Sequence, residues 1–179
     1  MSSAHLHLII NHIPVLGVFF GAAILAFGLW RSQDAIVRVA LGLFVASGLG
    51  AVGAYFSGEG AEEIVEELPG MSHAIIGAHE EVALIAFIVT AVLGVASLGV
   101  LLWRRRTDIP RLASMTLLIA ALGVFGVLAY TANTGGQIRH TELRDDTTQT
   151  TSQDALYHEE DDDELGWTCR RLNVWNAEL

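Results

Sequence analysis

The chain contains no lysine and one cysteine, Cys169, in 179 residues. A lone thiol closes no disulfide within the chain, and without a C-x-x-C pair neither a thiolate zinc site nor a dithiol redox centre can form. H-E-x-x-H and paired E-x-x-H sequences are absent too, as are a Walker loop and a serine elbow. Positive charge is scarce. All ten basic residues are arginine, and against twenty acids they leave a net charge of −10, which disfavours nucleic acid as a partner. No ionisable residue lies near the middle of the long apolar runs. A charge there costs about 2.5–3.5 kcal/mol and is usually kept for transport or proton relay. Pumps, ion channels and proton-coupled carriers are therefore disfavoured.

What the chain has is hydrophobic length. Apolar residues make up 52% of it and mean hydropathy is +0.46. The runs Leu6–Trp30, Ala35–Phe56, Val82–Trp103 and Leu112–Ala132 have 21 to 25 residues each. At about 1.5 Å per residue, each covers roughly 30 Å of hydrocarbon. We expect an all-α integral membrane four-helix bundle over residues 1–144, followed by an acidic tail over 145–179. Met1-Ser-Ser-Ala-His5 lacks the basic start of a signal peptide, so the first run is expected to be a retained span.

Arginine sets the expected orientation. Arg31 and Arg38 flank the first connection, and Arg104, Arg105, Arg106 and Arg111 flank the third. The positive-inside bias puts both connections in the cytoplasm, leaving the N-terminus, the 57–81 loop and the C-terminus on the periplasmic side of a bacterial inner membrane. All seven histidines, and every acid except Asp34 and Asp108, then share that outer side.

Several local features qualify this plan. Gly42, Ala46, Gly50 and Ala54, with Gly17 and Gly21, predict close helix contacts within the chain or a surface for another membrane subunit. Ala61, Ile64, Val65 and Leu68 alternate at helical spacing with Glu59, Glu62, Glu63, Glu66 and Glu67. They predict a short amphipathic outer helix stopped by Pro69-Gly70, with Ser72 capping the next helix. Gly135-Gly136 predicts a tight reversal that brings His140 and Glu142 back over the bundle. Glu159–Glu164 is an unbroken run of carboxylates, and Trp167, Leu172, Val174 and Trp175 beside Arg170 and Arg171 suit docking on a partner or on headgroups.

The candidate site is a histidine–carboxylate cluster at the outer end. His5 and His12 share nearly one face of the first helix. Taking Trp30 as the inner end puts His12 roughly 27 Å away, near the outer edge of the hydrocarbon. Pro14 either leaves the Ile10 carbonyl open beside His12 or sits in a true first turn. His73, His79, Glu80 and Glu81 open the third span. A non-haem iron, copper or zinc centre would draw on His12, His79, His140, Glu59, Glu63 and Glu80. A b-type haem would use two facing imidazoles, and His12 and His79 are the best such pair by depth.

Four stretches carry a resemblance: His5-Leu-His-Leu-Ile-Ile-Asn-His-Ile-Pro14, Gly58-Glu-Gly-Ala-Glu-Glu-Ile-Val-Glu-Glu-Leu-Pro-Gly70, Ala78-His-Glu-Glu81 and Gly135-Gly-Gln-Ile-Arg-His-Thr-Glu142. Over about residues 4–144 the chain resembles small four-span bacterial inner-membrane proteins grouped as a domain of unknown function. The resemblance implies the four-helix architecture and suggests that these polar motifs form the family's site. It implies no activity.

Two functional expectations follow. One is a metal- or haem-binding membrane protein acting in electron transfer or metal handling. The other is a non-catalytic accessory subunit of a respiratory or photosynthetic membrane complex, held through small-residue helix faces and residues 145–179.

Overall fold

The computed structural model describes residues 3–66 and 73–139, and these residues are helical throughout apart from short connections. The helices are α1 (Ser3–Ile10), α2 (His12–Arg31), α3 (Asp34–Glu66), α4 (His73–Trp103) and α5 (Arg111–Arg139). Four stretches are long and apolar enough to cross a membrane: His5–Arg31, Asp34–Gly58, Ala74–Trp103 and Arg111–Ile138. Less than half of each is buried inside the protein. Core packing therefore accounts for only part of their hydrophobicity. Phe19, Phe20, Leu49, Val92, Val95 and Ile119 are among the large apolar side chains left on the outer surface.

The first span is made of two helices. Pro14 supplies no amide to Ile10, and the helix assignment breaks at Asn11. The direction does not change, because Asn11 keeps helical dihedrals (φ −62°, ψ −21°) and its amide still reaches the His7 carbonyl at 2.9 Å. Both readings of Pro14 hold in part. It lies in the first turn of α2, and a further helix precedes it. At the other end Ser32 takes a left-handed φ of 51°, and its amide and that of Gln33 close on Leu29 and Gly28 to end α2.

α3 is the hub, with α1, α2 and α4 packed directly on it. Its buried face is Val37, Ala40, Leu41, Phe44, Ser47, Gly48 and Ala51, a helical stripe that excludes Gly42 and Ala46. At the α3–α4 crossing Gly48 and Gly94 stand back to back, and a Cβ on Gly94 would come within 3.1 Å of the Phe44 carbonyl and 3.2 Å of Gly48 Cα. Gly17 and Gly21 of α2 do the same against Ser47 and Phe44. Gly48-Leu-Gly-Ala-Val-Gly53 has the letters of a dinucleotide loop. It lies inside α3, however, with its glycines against Gly94, Ile13 and Ile10, so it is a packing seam. α5 joins through side chains. Leu117, Ala121, Val124 and Leu128 enter the shared core, and Phe125 meets Phe19 with centroids 5.4 Å apart.

Two expectations change. No separate amphipathic helix precedes Glu66, because α3 runs unbroken from Asp34 through the acidic segment, and Gly58 and Gly60 do not interrupt it. Gly135 and Gly136 do not reverse the chain, and α5 continues to Arg139. These glycines lie within helices, where close contact rather than turning uses the missing side chain. Pro69-Gly70, Ser72 and the 145–179 tail lie outside the described residues.

The two connections meet at one end. Arg38 pairs with Asp34 and sends Nη2 to the Arg104 and Thr107 carbonyls, each at 2.8 Å, while Asp34 Oδ1 accepts from the Ile109 amide at 2.8 Å. This clamp ties the α2–α3 turn to the α4–α5 connection and fixes which helix ends lie together.

Candidate functional site

The end opposite the clamp carries the described histidines that meet a neighbouring helix, His7 and His79. His7 is half-buried on α1, with Nδ1 2.9 Å from the Ala54 carbonyl and 3.2 Å from Ser57 Oγ on α3. A carbonyl only accepts, so Nδ1 carries the ring proton and donates. The Ser57 hydroxyl spends its own proton on the same carbonyl at 3.1 Å. That leaves His7 Nε2 with the lone pair.

His79 on α4 repeats the logic with α5. Its Nδ1 lies 3.0 Å from Thr134 Oγ1, and that hydroxyl donates to the Thr131 carbonyl at 2.9 Å. With its one proton committed, Thr134 can only accept from the ring, so His79 Nε2 also keeps its lone pair. His7 is held between α1 and α3, and His79 between α4 and α5.

Each ring leans on a glycine. A Cβ on Gly58 would stand 3.6 Å from His7 Cε1, and one on Gly135 would stand 3.0 Å from His79 Cε1. The glycine motifs singled out in the sequence thus border the histidines in space, as walls.

His12, expected from the sequence beside His79, does not turn into the protein. His12 is exposed and its Nδ1 donates to the Leu8 carbonyl of its own helix at 2.7 Å. Five residues turn a helix by about 140° relative to His7, which puts His12 off the buried stripe. His7 was missed, although a signal existed. Pro14, Val18, Gly21, Leu25 and Gly28 form the buried stripe of α2, and a step of seven back from Pro14 arrives at His7. Glu80 and Glu81 are exposed on α4. Glu59 and Glu63 lie on α3, but their side chains, like His140 and Glu142, are outside the described residues. Among the described residues no group of three or more His, Cys, Asp or Glu is arranged to hold a metal ion. The described part of the site is a pair of oriented imidazoles.

No family model matches the chain, and no curated protein or solved structure is similar to it. The resemblance therefore rests on the four quoted stretches alone. Fold and site together define a class: an all-α chain with four helices of membrane-crossing length and a histidine pair at one end of them.

Proposed function

We propose that this protein spans the bacterial inner membrane four times, with both termini on the periplasmic side. There it binds a metal ion or a haem iron through His7 and His79 Nε2, for electron transfer or metal handling. The observation that carries this reading is that both rings are half-buried and reach a second helix through Nδ1, whereas His12 is exposed and bonds only its own helix. Metal-ligating histidines are usually oriented by such a second hydrogen bond. The outward apolar surface supports the membrane placement, and the arginines beside the clamp support its orientation. Further ligands would come from Glu59, Glu63 or His140.

The test is purification in mild detergent without added metal, followed by elemental mass spectrometry and an absorption spectrum. Near-stoichiometric iron, copper or zinc that is lost in His7→Ala and His79→Ala but kept in His12→Ala supports the assignment. Iron with a Soret band selects haem. Metal-free protein that takes up neither added metal nor haem sinks it.

One observation favours the second reading, an accessory subunit of a larger membrane complex. Gly42 has nothing within 4 Å of where a Cβ would stand, and Ala46 one turn on is exposed. That leaves on α3 a small-residue face on which a neighbouring helix could pack closely. Gly42→Leu with Ala46→Leu should then release co-purifying subunits while leaving metal content unchanged.

A further inference from the structure

The arginine end has a feature that the histidine site does not use. Arg31, Arg104, Arg105, Arg106 and Arg111 make no ion pair with a described carboxylate. Asp34 is already taken by Arg38 and the Ile109 amide, and Asp108 is exposed without an arginine partner among the described residues. Arg104 stands apart from the rest. Its guanidinium lies over the Trp103 ring, 4.3 Å from the centroid, and its Nε–H is shielded from solvent with no acceptor. A guanidinium presents donors in the geometry that a phosphate fills. With Nε shielded against the protein, the Arg104 Nη groups, which meet no acceptor among the described residues, are the donors an anion would use. The backbone below it is fixed, because the Arg104 carbonyl accepts from Arg38 at 2.8 Å and from the Thr107 amide at 3.2 Å.

The surroundings indicate what the anion is attached to. Trp30 and Trp103 are 76% and 73% exposed, and Leu102 and Leu112 beside them are 62% and 77% exposed. Trp30 lies at the end of α2, Leu102 and Trp103 at the end of α4, and Leu112 at the start of α5. Tryptophan at the end of a span, next to cationic side chains, suits the headgroup level of a bilayer. A soluble phosphate uses none of that surface, whereas a phospholipid uses it for its acyl chains.

We propose that Arg104, stacked on Trp103, binds the phosphate of an anionic phospholipid, with Arg105 and Arg106 adding to the local positive potential. The inference rests on the membrane reading and is independent of the histidine site.

The experiment is native mass spectrometry of the delipidated full chain, titrated with phosphatidylglycerol or with phosphatidylcholine of the same acyl composition. Phosphatidylglycerol is expected to bind more tightly. Arg104→Ala should weaken it about twentyfold or more, well beyond the roughly fivefold expected of any one arginine near an anionic surface. The Arg38 contact survives this change because it uses the Arg104 backbone carbonyl. Arg104→Lys, which keeps charge but loses the fork, should recover only part of the affinity. Equal binding of the two lipids, or an equal loss in Arg106→Ala, would overturn the site. Displacement of the lipid by inorganic phosphate at matching concentration would overturn the lipid as occupant. A chain that stays monodisperse in water without detergent would remove the membrane reading itself, a result separable from all of these.

Discussion

Gly135 of α5 presses on the imidazole of His79, so closely that a Cβ at this position would come within 3.0 Å of Cε1. The contact fixes how near α5 comes to α4 at the histidine end, and with it the reach from His79 Nδ1 to Thr134. Gly135→Val should displace the ring. Metal or haem content of the purified protein should fall while the helical circular dichroism remains. Gly126→Val, on the same helix with nothing within 4 Å, is the matched control and should leave both unchanged.

The hydroxyl of Thr134 accepts from His79 Nδ1 and donates to the Thr131 carbonyl, which also hydrogen-bonds the His79 ring. Thr134→Val keeps the shape and removes the acceptor. We expect bound-metal affinity to drop by about 10–100-fold, the usual effect of losing a ligand's orienting hydrogen bond. Ser57→Ala should do much less, since the Ala54 carbonyl still holds His7. Competition with a chromophoric chelator measures both. Equal effects from the two variants would count against the assignment of roles.

The clamp at the other end makes its own prediction. Arg38→Ala removes two 2.8 Å hydrogen bonds and the Asp34 pair. Hydrogen bonds from a charged donor contribute about 1.5–3 kcal/mol each, less where water can replace them. The 104–109 connection should therefore open more often. Hydrogen exchange at the Ile109 amide is expected to speed up by about tenfold or more relative to the native chain.

The α3–α4 crossing tolerates no side chain. Gly94→Val drives methyl groups into the Phe44 carbonyl and Gly48, and overpacking of this kind costs about 1–3 kcal/mol. Unfolding in a graded denaturing detergent should begin earlier. Gly99→Val, in the same helix facing open space, should not shift it.

The contrast between His7 and His12 tells how much of this was legible beforehand. Span lengths, the all-helical class and the pairing of arginine-bearing ends follow from composition along the chain, because covering hydrocarbon needs only length and apolarity. The inward face of each helix does not. In a soluble protein a polar face marks the outside, but these helices are apolar on their outer faces as well. The cue is reversed here. Ser47, Thr90, Ser97, Ser114 and Thr134 are buried while Phe20, Leu49, Val92 and Ile119 are exposed. A search for apolar stripes therefore gives no phase, and small residues alone give none either, since Gly42, Ala46, Gly99 and Gly126 face outward.

Sequence alone determined four long apolar helices, a polar and acidic half, and a concentration of histidines at one end, since these depend on residue type and order. Tertiary structure decided that His7 rather than His12 turns inward, as His79 does. It also made Gly58 and Gly135 walls instead of turns, and continued α3 through the acidic segment. Each of those depends on the rotation and spacing of one helix against another. Neighbouring side chains set that rotation through close packing, which no single helix carries in its own pattern.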